Sequence, residues 1–233
     1  MSYGVWGAQY KNKRVHFMIK KSRVLIALLG GLASLLLVSG AHAGKPGDPV
    51  AGEMQAGLCG GCHGFDGNSP DASFPRLAGQ YEMYIVKQIR DFQKGHRANN
   101  DTMAGMAAMV ASLQDAKDIG AFFEKQPMAK KPIAPVDKKL AAKGKKLFYN
   151  GNPKSGVYGC VNCHGDRGMG KSPNIAVFPR IGGQHRDYLI KQLKDFKSNA
   201  RANDPAGMMA DIAKKLSDKE ITAVSHYLSA QLP

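Results

Sequence analysis

The stretch "LCGGCHGF" (residues 58–65) places Cys59 and Cys62 three positions apart and sets His63 directly behind the second cysteine. The stretch "YGCVNCHGD" repeats this arrangement 101 positions later, with its matching residues at Cys160, Cys163 and His164. The chain has 233 residues and four cysteines, so every cysteine belongs to one of the two motifs. An interpretation of this protein has to explain both the paired thiols and the histidine that follows them.

Residues 1–43 have the layout of a secretory signal peptide region. A basic cluster around Lys20 is followed by an apolar run over 24–38 and by a small-residue cleavage site that ends at Ala43. Nothing ahead of Met18 fits an export signal, so we expect translation to start at Met18 and the exported chain to begin after Ala43. An uncleaved membrane anchor is the alternative, because the apolar run is close to the shortest length that spans a bilayer.

Three kinds of site use a Cys-x-x-Cys pair, and the two histidines distinguish between them. A redox disulfide leaves His63 and His164 without a role and requires alternating strands and helices, which this sequence lacks. A zinc site requires closely spaced cysteine pairs, whereas 97 residues separate Cys62 from Cys160. Covalent haem uses every residue, because the two thiols add to the vinyl groups on one edge of the ring and the histidine becomes the proximal iron ligand. The sequence therefore predicts two covalently bound haem c groups.

The two halves of the chain are copies of one another beyond the motifs. The block "FPRLAGQYEMYIVKQIRDFQKGHRAN" (74–99) matches "FPRIGGQHRDYLIKQLKDFKSNARAN" (178–203) at an offset of 104 positions. Each copy has the pattern of an amphipathic helix and of a closing helix, without strand alternation. These patterns predict an all-α protein of two tandem cytochrome c-like domains related by internal duplication. The predicted division is a signal region over 1–43, an N-terminal domain over 44–123, a linker over 124–139 and a C-terminal domain over 140–233.

These repeated blocks give the sequence a family resemblance. The doubled Cys-x-x-Cys-His, Phe-Pro-Arg-x-x-Gly-Gln and Lys-Gln-x-x-Asp-Phe blocks, with a methionine before each closing helix, resemble the dihaem cytochrome c4 family from about Val50 to Leu232. The resemblance implies an electron carrier in the periplasm of a Gram-negative bacterium. It also implies redox protein partners, namely a respiratory donor complex and a terminal oxidase, near the membrane surface.

An electron carrier needs a sixth iron ligand, and methionine suits this role because thioether sulfur favours ferrous iron. The register of the repeat selects Met106 and Met209, which lie seven residues before Leu113 and Leu216. The same two clusters leave three alternatives open: Met103, Met109 and Met208. Bis-histidine ligation is disfavoured because no further histidine recurs in both copies, the candidates being His96, His185 and His226.

The Phe-Pro-Arg blocks suggest residues around each haem. In cytochrome c folds a proline carbonyl commonly accepts the proton on the far nitrogen of the haem histidine, and the matching residues are Pro75 and Pro179. Arg76 and Arg180 are predicted to pair with haem propionates. The alternative for both arginines is an ordinary turn followed by a solvated side chain.

No catalytic dyad, triad or nucleotide loop accompanies the two motifs. The sequence therefore predicts an electron-transfer protein rather than an enzyme, with no small-molecule substrate. Two alternatives remain open: the cytochrome subunit of a membrane-bound dehydrogenase, and a dihaem peroxidase with one open iron position. The sequence pI of about 9.7 would suit nucleic acid, but export excludes that partner.

The positive charge of the exported chain lies in one half. Residues 44–131 carry ten basic and ten acidic side chains, whereas residues 132–233 carry 17 and 8. A field of this kind orients a protein as it approaches an acidic partner or an anionic membrane surface. We therefore expect the C-terminal half to present the docking face for an acidic electron acceptor.

The same asymmetry predicts the order of the two reduction potentials. Oxidation adds a positive charge to a haem and is harder in positive surroundings, so the His164 haem should have a higher potential than the His63 haem. Spectroelectrochemical titration at low and high ionic strength checks this order. A lower potential for the His164 haem at low salt, or a gap that does not respond to salt, would contradict the charge argument.

Overall fold

The computed structural model describes residues 45–132 and 134–232. The region 1–43, with the expected start at Met18 and cleavage after Ala43, lies outside the described residues. Within the described ranges every regular element is a helix, apart from one isolated bridge between Asn152 and Val157. The predicted all-α class is confirmed. No helix in these ranges has the length and apolar character needed to cross a membrane.

Each half of the described chain contributes five α-helices. The first half contains α1 (Pro49–Gln55), α2 (Gly57–His63), α3 (Glu82–Gln93), α4 (Asp101–Ala108) and α5 (Leu113–Lys125). The second half contains α6 (Lys138–Asn150), α7 (Val161–His164), α8 (Arg186–Lys197), α9 (Met208–Lys215) and α10 (Asp218–Ser229). The stretch between α5 and α6 lies within the predicted linker over 124–139. The domain limits themselves stay a prediction.

In each half the first helix crosses the last helix at a glycine. A Cβ atom on Gly52 of α1 would lie 1.9 Å from the carbonyl oxygen of Asp118 in α5. A Cβ atom on Gly144 of α6 would lie 2.0 Å from the carbonyl oxygen of Ala223 in α10. These distances leave no room for a side chain, so glycine is what allows the two backbones to touch. The matching contacts make Gly52 and Gly144 equivalent points of the duplicated fold.

Each half also has its own hydrophobic core. Phe123 is fully buried in the first core, and Phe148 and Ile221 are fully buried in the second. The amphipathic helices predicted from periodicity are α3 and α8, and their apolar positions are buried at Ile85, Ile89, Phe92, Leu189 and Phe196. The closing helix α10 begins with the capping box that its sequence predicts, in which Ser217 and Glu220 each accept the other's backbone N–H.

The two halves, which belong to one compact unit over Ala43–Pro233, meet across a buried polar layer. Arg97 donates to Gln88 of its own half at 2.8 Å and to Gln192 of the other half at 2.9 Å. Arg201 does the reverse, donating to Gln192 at 2.7 Å and to Gln88 at 3.1 Å. Each glutamine oxygen therefore accepts from two guanidinium groups, one from each copy.

The contacts around this layer show the same reciprocity. The Asn99 amide donates to the carboxylate of Asp195 at 2.6 Å, and the Asn203 amide donates to that of Asp91 at 2.6 Å. Each arginine also lies 4.5 Å from the centre of a phenylalanine ring, in the pairs Arg97 with Phe92 and Arg201 with Phe196. An approximate two-fold relation thus connects the two copies across their interface.

The repeated Phe-Pro-Arg-x-x-Gly-Gln block takes part in this interface, a role that the sequence did not reveal. Gln184 accepts a hydrogen bond from the backbone N–H of Arg76 at 2.8 Å and donates to its carbonyl oxygen at 2.9 Å. Gln80 accepts from the N–H of Arg180 at 3.1 Å and donates to its carbonyl oxygen at 2.8 Å. The glutamine of each copy therefore holds the arginine backbone of the other.

Loss of one central acceptor should destabilise the whole protein. Replacing Gln192 by leucine (Gln192→Leu) removes an oxygen that accepts from both Arg97 and Arg201 and leaves two buried cations with fewer partners. We predict a decrease of about 3 kcal/mol in the free energy of unfolding of the holoprotein, measured by urea titration. The exposed Lys194 on the same helix provides the control, and Lys194→Gln should change stability by less than about 0.5 kcal/mol. Equal midpoints for the two variants would contradict the assigned role of Gln192.

Candidate functional site

The first Cys-x-x-Cys-His motif lies on α2, which ends at His63. Cys59 and Cys62 are three residues apart on this helix, so one helical turn brings them to the same face. Neither cysteine forms a disulfide in the structure. The His63 ring is buried, and its Nδ1 atom lies 2.8 Å from the carbonyl oxygen of Pro75. A carbonyl only accepts, so Nδ1 carries the proton and Nε2 keeps the lone pair that a metal would bind.

The second motif repeats this geometry at the start and end of α7. Cys160 precedes the helix as its N-cap residue, and His164 ends it. The His164 ring is buried, and its Nδ1 atom lies 3.1 Å from the carbonyl oxygen of Pro179. Burial lowers the pKa of both His63 and His164, and the hydrogen bond to the proline carbonyl opposes this only in part. Both rings are therefore held as neutral imidazoles, the form that binds iron.

Cys59 and Cys160 lack the lowered pKa of redox-active thiols. Burial raises the pKa of Cys160 to about 11, and burial followed by the charge of Cys62 raises the pKa of Cys59. A redox-active cysteine needs a lowered pKa, and the shift of these two thiols is in the opposite direction. The zinc alternative also requires the two motifs to converge, and no group of three or more potential ligand side chains does so within the described ranges.

The arginines of the Phe-Pro-Arg blocks each keep one buried N–H group for a further acceptor. Arg76 is only 6% exposed, so it is not the solvated side chain of the alternative interpretation. Its Nη atoms donate to the carbonyl oxygens of Gly183 at 2.7 Å and Lys131 at 2.8 Å, and Arg180 lies over the ring of Tyr81 at 4.7 Å. The Nε atoms of both arginines are buried without an acceptor in the described structure. A pair of orphaned guanidinium N–H groups at equivalent positions fits two carboxylate groups, such as haem propionates.

The prediction of Met106 depends on treating Leu113 and Leu216 as equivalent positions of the two copies, and the structure contradicts this equivalence. Leu113 follows the N-cap residue of α5, Ser112, and is 50% exposed. Leu216 precedes the N-cap residue of α10, Ser217, and is 3% exposed. The two leucines are therefore not equivalent, because the connection to the closing helix is longer in the first half. This register therefore does not select Met106, and the axial ligand of the first site stays a prediction.

Two buried alanines, one in α4 and one in α9, provide a better alignment of the two methionine clusters. Ala107 of α4 and Ala213 of α9 are both essentially inaccessible, and Met103 and Met209 each lie one helical turn before these residues. Met103 packs against the first core together with Cys59. Two other candidates lie largely in solvent, with exposed fractions of 58% for Met109 and 40% for Met208. The geometry favours the pair formed by Met103 and Met209.

The remaining histidines have other contacts in the structure. His185 is buried, and its Nε2 atom lies 3.1 Å from the carbonyl oxygen of Ser69. His226 accepts the backbone N–H of Asp137 at 3.1 Å, where the connection between the halves enters α6. The side chain of His96 is 65% exposed. These different environments agree with the expectation that bis-histidine ligation is disfavoured.

An all-helical fold in which a Cys-x-x-Cys-His helix presents a neutral, buried histidine held by a proline carbonyl defines a c-type cytochrome. The cytochrome c family model matches residues 141–231. The chain is 43% identical to cytochrome c4 of Pseudomonas aeruginosa, over 84% of this chain and 96% of the relative, and 47% identical to that of Thiocapsa roseopersicina, over 81% and 95%. This protein belongs to the cytochrome c4 family. It is an electron-transfer protein with covalently bound haem c, as the two motifs predict.

The comparisons extend to a solved structure and to a relative with a different name. The reduced recombinant cytochrome c4 of Pseudomonas stutzeri matches with a TM-score of 0.73 and 40% identity, over 79% of this chain and 99% of that one. The thiosulfate dehydrogenase electron acceptor of Thiomonas intermedia is 34% identical over 80% of this chain and 84% of the relative. The structural match supports the predicted fold of tandem cytochrome c units.

The two candidate methionines of the first site can be separated by substitution. Met103→Ala should leave both haems attached but open one iron to carbon monoxide, because it removes the thioether that completes the coordination. Met106→Ala is the matched control, and it should keep the methionine-to-iron charge-transfer band of both haems. Optical spectra of the ferric protein and carbon monoxide binding to the ferrous protein measure both effects. Loss of the band in Met106→Ala alone would restore Met106 as the ligand.

Proposed function

We propose that this cytochrome carries single electrons between protein partners through two equivalent haem sites. The residues proposed to bind the haems covalently are Cys59, Cys62, Cys160 and Cys163. The proposed axial ligands are His63 with Met103, and His164 with Met209. The proposal is supported above all by the two buried histidines, whose Nδ1 atoms are both tied to a proline carbonyl while Nε2 stays free.

The chain's own residues prepare each site for fast electron exchange. A bound haem supplies the one-electron chemistry, and filling both axial positions prevents oxygen or peroxide from reaching the iron. The carbonyl groups of Pro75 and Pro179 hold the imidazole orientation, so a change of charge requires little rearrangement. Arg76 and Arg180 would offset the charge of the propionates through their buried Nε–H groups.

The interface between the halves supports electron exchange within one molecule. Arg97 and Arg201 each bind glutamines from both copies, so the two sites keep a constant separation. We propose that electrons enter through the N-terminal half and leave through the C-terminal half. The direction rests on the basic surplus of residues 132–233, which favours the higher potential at the His164 haem.

We propose a periplasmic location and a terminal oxidase as the electron acceptor. The location rests on the signal-like region 1–43. The docking face would include the exposed lysines of α6, among them Lys143 and Lys146, which form no ion pair within the described residues. An acidic docking site on the acceptor would be complementary to this helix.

A second candidate function is that of electron acceptor for a dehydrogenase. It is favoured by the relative named as a thiosulfate dehydrogenase electron acceptor, which matches over most of both chains. The chemistry at the two haems is the same in both functions, and the donor distinguishes them. Reduction of the oxidised holoprotein by purified thiosulfate dehydrogenase and thiosulfate, at a rate that saturates with enzyme concentration, would support this candidate.

Oxidation by a purified cytochrome oxidase tests the first candidate and its docking face. The reduced holoprotein should be oxidised rapidly at low salt, and Lys143→Glu/Lys146→Glu should slow this reaction by about tenfold. The control Lys94→Glu/Lys125→Glu makes the same change of net charge on exposed residues of the other half and should have a smaller effect. Equal rates for the two double variants would contradict docking through α6. Failure of the wild-type protein to react would contradict the oxidase as acceptor.

A further inference from the structure

Equivalent residues before α3 and α8 reach across the interface to the opposite site. Tyr81 is the N-cap residue of α3, and its hydroxyl donates to the carbonyl oxygen of Met169 at 3.1 Å. His185 is the N-cap residue of α8, and its Nε2 atom lies 3.1 Å from the carbonyl oxygen of Ser69. Met169 and Ser69 lie five and six residues after the proposed iron ligands His164 and His63. Each half therefore holds the loop that follows the histidine of the other half.

The two copies perform this task with different chemistry. In one direction the link is a phenol, and in the other it is an imidazole. Phenols stay protonated throughout the acid range, whereas imidazoles change charge there. The tyrosine shows that the loop can be held by a ring that does not change charge in the acid range. The imidazole of His185 thus brings to the first site a group that changes charge in acid, which is not needed to hold the loop.

His185 lies among charged groups of the first site. It is 4% exposed, and burial and the positive charge of Arg76 lower its pKa to about 4. Asp71, from the loop before α3, and Asp187, on its own helix, act in the opposite direction. Arg186 lines the same cavity as His185 and pairs with Asp187 at 2.8 Å, and the neighbouring residues from the connection and from α10 are uncharged: Pro132, Ala134 and Ser229. Arg76 is thus the basic group that His185 faces across the interface. The Nε–H group of Arg76 has no acceptor in the described structure.

The geometry also defines where a proton would bind. The carbonyl oxygen of Ser69 only accepts, so Nε2 carries the proton of the neutral ring and Nδ1 receives the second one. A small cavity of about 10 Å³ is lined by His185, Arg76 and Gln184. The cavity is large enough for about one water molecule.

We propose that His185 is a positioning residue that couples proton binding to the redox state of the His63 haem from the opposite half of the molecule. The inference rests on the proposed haem site at His63. Reduction brings one electron to that site, and His185 then binds a proton from solvent more readily; oxidation reverses both changes. Tyr81 provides no such coupling at the His164 haem.

The direction of the effect follows from charge. A protonated His185 adds a positive charge beside Arg76, which makes the loss of an electron at the nearby site harder. The potential of the His63 haem is therefore highest in acid and falls as the pH rises through the titration of His185. Reduction raises the proton affinity of His185 by the reciprocal amount, because the two equilibria are linked.

Spectroelectrochemical titration of the holoprotein between about pH 4 and about pH 8 tests this coupling. In the wild-type protein one potential should fall with rising pH while the other stays level. His185→Tyr, which copies the other half, should make both potentials level, and Tyr81→His should make both fall. His96→Gln removes an exposed histidine of the first half and should behave like the wild-type protein.

Two results would overturn the proposal: a pH dependence that persists in His185→Tyr, or its absence from the wild-type protein. If the variants do not fold, NMR titration of the His185 ring in the wild-type protein decides, because equal pKa values in the oxidised and reduced states would exclude coupling. Failure of the haem sites themselves is distinguishable. It would appear as a missing covalent haem or methionine band, whereas two intact low-spin haems without pH dependence would reject only the role of His185.

Discussion

The architecture depends on hydrogen-bond acceptors for two guanidinium groups that are buried where the two halves meet. Arg97 and Arg201 are both buried, and the acceptors of one Nη atom in each lie in the opposite half. These acceptors are a glutamine oxygen and a tyrosine hydroxyl of the opposite copy, so docking of the halves buries both cations and pairs them at the same time. Docking in turn brings Gln80 and Gln184 against the arginine backbones of the Phe-Pro-Arg blocks. The surroundings of each haem site are therefore built partly by the other half.

The sequence predicts the fold class and the chemistry of the two motifs because both depend on local spacing. The Cys-x-x-Cys-His pattern fixes which atoms meet one edge of a haem, and the all-α class, haem c and the family are confirmed. Periodicity also identifies α3 and α8, but it cannot show that Gln88 of α3 accepts a hydrogen bond from Arg201 of the other half. These two residues lie 113 positions apart, and no local pattern encodes their contact.

The sixth ligand shows how a repeat can mislead. Leu113 and Leu216 are the same residue type at similar places in the two copies. Leu113 nevertheless follows the N-cap residue of its helix, whereas Leu216 precedes the N-cap residue of the next helix. Two extra residues in the connection after α4 shift the register, as the helix caps and the burial of Ala107 and Ala213 both show. The carbonyl groups of Pro75 and Pro179 could be assigned in advance because the Phe-Pro-Arg block recurs in both copies. Domain limits and axial methionines stay predictions.

The reciprocal glutamine and arginine contacts are those of an isologous interface, in which the same surface patch is used by both partners. Such an interface is characteristic of a symmetric homodimer of separate single-haem chains. The connection between α5 and α6 converts that association into an intramolecular one, so it no longer depends on protein concentration. Fusion has a further consequence, because each patch is now encoded separately. The two copies are free to diverge, as Tyr81 and His185 have done, while an obligate homodimer would have to carry every change twice.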